Sequence, residues 1–446
     1  MAEKGRFELP MPWSIHDFES CAFDHSATSP QSDEYRKIYS ESKYVIFSWV
    51  FRFVSPLYFR LLCIESLRFS PIIRTNIFQI MHILFLTWKD IRHPRAGGAE
   101  RVVLEYARRL VCDGYTVSWL GSSFQNALPY EEIEGIHVYR KYHIYTIYFL
   151  AWIWYRRFIR ENPVDIIIDE AGGVPLLSPL YEKNVPIFFL IHHIWEKESH
   201  DEFGWPIWWI AKKVIFFLFS LYKNFPTITV SDSTKKELEA RFHFTNVSVV
   251  ENATQISPIE AIDWNAKKKE IVFYGRLTRI KRVDHAIRVF SIFHTQFPEY
   301  SMNIIGNPQD MAYMTELQEL VQTLWLQENV HFLGYCPDLA PYLTRAEALL
   351  VTSMKEGYGL VVLEGNAYGL PAFAYDVEGL RDSIRDGKNG ILAPEGDVDA
   401  LWEKLMEYVW NPEKLMHLSE SSLTFIKDFW GWDMRYQEFK NIIFKK

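Results

Sequence analysis

Glu356 and Glu364 flank the stretch Gly357-Tyr358-Gly359-Leu360-Val361-Val362-Leu363. Gly357 and Gly359 have no Cβ, so a turn built from them lets backbone approach a ligand closely. The apolar residues from Leu360 onward predict a helix whose first N–H groups and positive dipole end would face an anion. Glu356 then sits on the loop and Glu364 about one and a half turns into the helix, so the two carboxylates reach different ends of one ligand. A diphosphate between two hydroxyl-rich groups, as in a nucleotide sugar, suits that spacing.

Cations stand ready elsewhere in the chain. The predicted strand Glu270–Tyr274 runs into Gly275-Arg276-Leu277-Thr278-Arg279-Ile280-Lys281. Arg276 has a guanidinium able to fork onto a diphosphate, and Lys281 offers a point charge. Taken alone such a loop is more often solvated surface; together with Glu356 and Glu364 it becomes specific. Gly97-Gly98 opens a helix after the strand His82–Trp88, a second anion-ready helix start, although a tight strand–helix turn reads as well. It is no dinucleotide fingerprint, since G-x-G-x-x-G is absent. The strand Pro186–Ile191 ends in His192-His193, and adjacent strand residues point to opposite faces, so at most one faces a ligand. No third ligand is spaced for zinc, and no metal site is expected. Asp169-Glu170-Ala171-Gly172-Gly173 follows another strand and could line the opposite side of a cleft; capping the next segment is the blander explanation.

The elements that must hold these residues alternate. Apolar runs His82–Trp88, Tyr115–Leu120, Asp165–Asp169, Pro186–Ile191, Thr227–Val230 and Val247–Val250 read as buried strands separated by helical periodicity. After an irregular stretch, 252–269, a second series follows: Glu270–Tyr274, Tyr300–Ile305, Asn329–Leu333, Ala348–Thr352 and Pro371–Tyr375. Two doubly wound α/β domains are expected, 81–253 and 268–429, with a helix at about 430–446 packing back on the first. Ligands of such sheets bind at the carboxyl ends of the strands, so the site belongs in the cleft between the domains. Phe429–Asp433 reads as a kink between helices.

Composition narrows the function classes. With 48% hydrophobic and 23% charged residues the chain is globular, and its net charge of −8 argues against a nucleic-acid partner. Cys21, Cys63, Cys112 and Cys336 are scattered, without CxxC pairing, which points to a reducing cytoplasm. Neither Ile144–Ile159 nor Pro206–Leu221 is long or apolar enough to span a bilayer.

From Met81 onward the sequence resembles a family-4-type retaining glycosyltransferase of the GT-B fold. The motifs that carry the likeness are GGAERVV at 97–103, GRLTRIK at 275–281, IIG at 304–306, EGYGLVVLEGNAYGLP at 356–371 and GLRDSIRDGKNGIL at 379–392. The resemblance implies a nucleotide-diphospho-sugar held mainly by the second domain and an acceptor held by the first. It implies that Arg276 and Lys281 hold the diphosphate beside Gly275, that Glu356 lies by the sugar ring, and that Glu364 accepts from the ribose. It further implies that backbone at Gly359, Leu360 and Val361 faces the donor, that Gly97 and Gly98 close the pocket, and that His192 or His193 approaches the transferred sugar. No bound metal or other cofactor is implied, and none is signalled by an Asp-x-Asp motif. Departures stand at Val250-Glu251-Asn252-Ala253 and at Glu378-Gly379.

The acceptor class implied is a glycan or a lipid-linked sugar. Trp152, Trp154, Arg156, Arg157 and Arg160, and again Trp205, Trp208, Trp209, Lys212 and Lys213, mix aromatic anchors with cations. That mixture suits helices lying on the inner face of a membrane, or helices that cover the first sheet with their lysines snorkelling. Two other functions fit the fold: a non-catalytic sugar-nucleotide-binding partner subunit, or a GT-B sugar-nucleotide epimerase. Residues 1–80 lie outside the resemblance and lack periodicity in 1–40; Pro56 and Pro71 interrupt the aromatic remainder. Met81 stands where the first domain starts, so 1–80 is expected to be a dispensable or misassigned extension; a docking element at Tyr44–Leu62 is the other reading.

Overall fold

In a computed structural model of the protein, residues 80–194, 205–429 and 431–445 are described, with backbone alone for 205–212. The segment 1–79, including Cys21, Cys63 and Tyr44–Leu62, lies outside the described residues, as do Trp430 and the side chains of Trp205, Trp208, Trp209 and Lys212.

The first half alternates as its apolar runs demand. In order come β1 (His82–Leu86), α1 (Gly98–Cys112), β2 (Thr116–Ser123), β3 (Tyr130–Ile133), β4 (Ile136–His143), α2 (Ile147–Glu161), β5 (Ile166–Ala171), β6 (Ile187–Ile191), α3 (Trp205–Ser220), β7 (Thr227–Thr229), α4 (Asp232–Phe242) and β8 (Val247–Val249). They form one eight-stranded sheet in the order β3-β4-β2-β1-β5-β6-β7-β8, parallel throughout except for β3. All five residues of β1 are buried, because helices cover both faces of a parallel sheet. Helix α1 buries Val102, Val103, Tyr106, Ala107 and Leu110, the stripe that helical spacing predicts. Ser231 caps α4 by accepting from the Thr234 amide at 3.2 Å.

The hairpin β3–β4 is absent from the expected strands. Its turn is Glu134-Gly135, both at positive φ (51° and 79°), the two-residue turn that matches strand twist. The half-exposed strands carry adjacent charged residues, Glu131-Glu132 and Arg140-Lys141, so no apolar run marks them.

The second half comprises β9 (Glu270–Tyr274), α5 (Val283–Gln296), β10 (Ser301–Ile305), α6 (Met311–Thr323), β11 (Val330–Gly334), α7 (Ala340–Arg345), β12 (Ala348–Val351), α8 (Leu360–Asn366), β13 (Ala372–Tyr375), α9 (Leu380–Ser383), β14 (Gly390–Ala393), α10 (Val398–Val409), α11 (Pro412–Phe429) and α12 (Trp432–Ile443). Its six strands are parallel, ordered β11-β10-β9-β12-β13-β14. Only β14 escaped the sequence reading.

Helix α12 returns to the first sheet, where Trp432, Tyr436, Phe439 and Ile443 join the core. Phe439 stacks on Tyr106 with ring centroids 4.1 Å apart. The chain therefore passes between the two domains twice, once through Thr254-Gln255 and once at Gly431, which has φ 101°. Both passages line one cavity of 660 Å³, together with Arg108, Arg109 and Trp432.

Candidate functional site

The strand ends of the second sheet set one side of the cleft. Gly275 (φ 146°) and Gly306 (φ 149°) end β9 and β10, and a Cβ on Gly306 would fall 1.8 Å from the Gly275 carbonyl oxygen. Only glycine lets these two backbones touch. The loop from Gly275 then delivers Lys281 to Glu356, where the ammonium and carboxylate pair directly. Ser353 Oγ donates to the same Glu356 oxygen at 2.8 Å. Burial pushes this carboxyl up, but Lys281, Ser353 and Arg276 outweigh it and hold the group below the usual range.

Glu356 is positioned from a second direction. Its amide donates to the Glu378 carbonyl at 3.1 Å, and Gly379 (φ 82°) passes so close that a Cβ there would lie 2.2 Å from the Glu356 carbonyl oxygen. Gly359 (φ 84°) starts α8, and a Cβ on it would meet Leu380 at 2.7 Å. Leu360 and Val361 form the first turn of that helix. Glu364, one turn on, takes the Tyr274 hydroxyl at 2.8 Å and faces Arg101 of α1 at 3.4 Å. Burial raises its pKa, offset only in part by Tyr274 and Arg101.

The two cations differ from each other. Both stand as exposed cleft charges in the sequence reading; the structure keeps that for Arg276 and corrects it for Lys281. The Lys281 side chain retains only 17% of its exposure and is paired with Glu356. Arg276 is exposed, and its charge acts on both Glu356 and His193. Arg279, between them, points away and forks onto Glu316 at 2.8 and 2.6 Å.

The first domain closes over this cluster. Gly97 caps α1, its amide donating to Glu100 at 2.6 Å, and a Cβ on Gly98 would stand 3.2 Å from Leu360. His192 and His193 follow β6 and have different surroundings. His193 lies in the field of Lys355, Glu356, Arg276 and Lys281; burial first, then those cations, bring it down to about 4. His192 is 3.7 Å from Glu170, and burial, His193 and Lys89 lower it to about 3. Its carbonyl oxygen lies 3.1 Å from where a Gly357 Cβ would be, so the glycine turn is pressed against it.

Several residues at this junction have no counterpart among the sequence candidates. Lys355 is buried between Glu237 of α4 (3.1 Å) and Glu378 (2.7 Å), joining the domains; the two carboxylates overcome burial and raise its pKa. The Ser233 amide donates to Asp382 at 3.1 Å, and Arg385 reaches Glu251 at 3.4 Å. Asp169, read as cleft lining or capping, caps: it accepts from the Leu176 amide, from the Ser178 amide and hydroxyl, and from the Tyr222 hydroxyl.

Comparison with known proteins agrees with this geometry. Residues 96–257 match the model described as Glycosyltransferase Family 4, and residues 257–423 that described as Glycosyl transferases group 1. An uncharacterized glycosyltransferase of Haemophilus influenzae is 24% identical over 354 residues, 78% of this chain and 96% of the relative. Among solved structures, the sucrose-phosphate synthase of Thermosynechococcus elongatus superposes with TM-score 0.68 at 17% identity, covering 81% of this chain and 98% of the other. Anabaena Alr3699/HepE, solved with UDP and glucose, gives TM-score 0.64 at 17% identity, covering 81% and 98%. Two parallel-sheet domains facing a cleft, matched in consecutive halves by these two models, place the chain in the family-4 type of GT-B-fold glycosyltransferases.

Proposed function

We propose that the protein is a retaining hexosyltransferase that moves a sugar from a nucleotide-diphospho-sugar to a glycan or lipid-linked acceptor. The observation that carries the reading is the junction of Lys281, Glu356 and Arg276 at the carboxyl ends of β9 and β12, with Glu364 one helical turn away. In it, Arg276 and Lys281 neutralise the diphosphate, Glu364 accepts from the ribose, and Glu356 orients hydroxyls of the sugar. The acceptor oxygen attacks the anomeric carbon from the face the diphosphate leaves. The carbon–oxygen bond to the diphosphate breaks, and the departing phosphate takes the acceptor's proton. Stabilisation of that leaving group supplies most of the rate. No metal ion takes part, so EDTA leaves turnover unchanged.

The acceptor membrane would meet α2 and α3. Phe149, Arg157 and Arg160 of α2 are exposed, Arg156 lies over the Trp152 ring at 5.8 Å, and Lys213, Phe216 and Phe217 of α3 are exposed. No helix among the described residues is long and apolar enough to cross a membrane, so contact would be peripheral. Incubation with a panel of nucleoside-diphospho-sugars, with and without lipid extract, tests the reading through release of nucleoside diphosphate. Absence of release from every donor overturns it in favour of a binding subunit, and conversion of the donor sugar without release in favour of an epimerase.

A further inference from the structure

At the ends of β1, β5 and β6, three buried polar atoms have no hydrogen-bond partner among the described residues: Trp88 Nε1, Glu170 Oε1 and His192 Nε2. Glu170 is 1% exposed and His192 4%. Oε1 and Nε2 are 3.7 Å apart, too far to satisfy each other. An ideal Cβ on Gly172 would stand 2.4 Å from Trp88 Nε1 and 3.2 Å from Glu170 Oε1. Gly172 is not among the glycines at positive φ, so its backbone does not require glycine. The missing side chain serves instead to let the indole N–H and the Glu170 carboxyl draw together where a Cβ would stand.

Unpartnered buried polar groups are costly, and apolar side chains would fill the same space without that cost. Grouped at strand ends beneath the Gly357 turn, they mark a ligand rather than a packing defect. Burial, then Glu100, raises the Glu170 carboxyl well above its ordinary range; burial keeps the His192 imidazole uncharged. Lys89, the neighbouring cation, is already paired with Glu100 at 3.0 Å. The indole N–H only donates, whereas a neutral carboxyl and a neutral imidazole each donate and accept. A hydroxyl, which does both, matches this set. An anion would face Glu100 and Asp169, and the nearest cation among the described residues, Lys89, is already paired.

We propose that Trp88, Glu170 and His192 form a subsite that grips hydroxyls of an uncharged sugar ring on the acceptor and rejects acceptors bearing a carboxylate or phosphate at that point. The proposal rests on the reading of the acceptor as a glycan. Saturation-transfer NMR on the full chain, using methyl glycosides of glucose, galactose and N-acetylglucosamine against methyl glucuronide and glucose 1-phosphate, tests it. At least one neutral glycoside binds and the two anionic probes do not. Gly172→Ala and Glu170→Leu weaken that binding by about tenfold, whereas Glu170→Gln, which keeps shape and neutrality, stays within about threefold. A thermal melt of each variant separates lost binding from lost folding, with Glu170→Gln as the folded reference. Full binding in Gly172→Ala, equal binding of the glucuronide, or no neutral glycoside bound by the parent chain overturns the proposal. Failure of the donor reading is seen separately, as absence of nucleoside diphosphate release by the parent.

Discussion

Lys281 is held by Glu356 while Arg276 stands in solvent, so the same substitution has different consequences at the two positions. Arg276→Ala should cost about 2–4 kcal/mol of transition-state stabilisation, the value of one charged contact to a leaving group, with an unchanged melting temperature. Lys281→Ala should lose as much activity and also destabilise by about 1–3 kcal/mol, because Glu356 is left buried without its cation. Parent-like kcat/KM in either variant contradicts the donor site. The glutamates should separate differently. Glu364→Gln weakens nucleoside diphosphate binding in calorimetry, and Glu356→Gln spares that binding but lowers kcat; equal losses of affinity would merge their roles. The residues named from the sequence are those whose chemistry shows in short-range spacing, Glu356 with Glu364 and Arg276 with Lys281. Arg101, Tyr274 and the Lys355–Glu237 pair were not legible, because a partner across a cleft leaves no periodicity in the chain.

Among the elements, buried parallel strands other than the short β14 were legible to within a few residues, since burial on both faces writes them as continuous apolar runs. The β3–β4 hairpin was not, because one turn dipeptide, Glu134-Gly135, carried its only signal. Glycine turns decide the local geometry of the site and differ in what surrounds them. Gly379→Ala sets a Cβ 2.2 Å from the Glu356 carbonyl oxygen, backbone against backbone, and must displace the Glu356 turn. Gly114→Ala, at φ 88° with nothing within 4 Å, incurs only the left-handed strain of about 1–2 kcal/mol. The first should lose activity and melting temperature together, and the second a few degrees of melting temperature alone. Equal activity in both would show that the Glu356 turn tolerates displacement.

For the whole molecule, the last helix belongs to the first core. Burying Trp432, Tyr436, Phe439 and Ile443 contributes about 1.5–3 kcal/mol each, a sum comparable with the roughly 5–15 kcal/mol that keeps a domain folded. A chain ending at Phe429 should therefore lose cooperative unfolding of the first domain while the second still melts, as calorimetry would resolve; two intact transitions would refute this. Acid should weaken the assembly through its histidines. His192 and His193 titrate at about 3 and about 4 when folded, against 6.5 when unfolded, so the unfolded chain takes up protons first. Their contribution is complete above pH 6.5 and is lost as the pH falls through about 4 for His193 and about 3 for His192. The raised carboxyls of Glu170 and Glu364 act in the opposite sense, so the readout is a difference. His193→Gln should flatten the fall in melting temperature between pH 6.5 and 4 relative to the parent, and an unchanged slope would exclude His193 as a contributor.

The two passages between the domains, at Thr254-Gln255 and at Gly431, run side by side along one cavity, and Arg435 ties Glu251 beside them at 3.1 Å. A body on one tether can twist, slide and swing; on two neighbouring tethers it keeps chiefly the swing about the line that joins them. The cleft then behaves as a door hung on two hinges. An opening about that line would separate Arg101 from Glu364 and Lys355 from Glu237 in the same stroke, and a closing would return Glu356 and His193 to the same register.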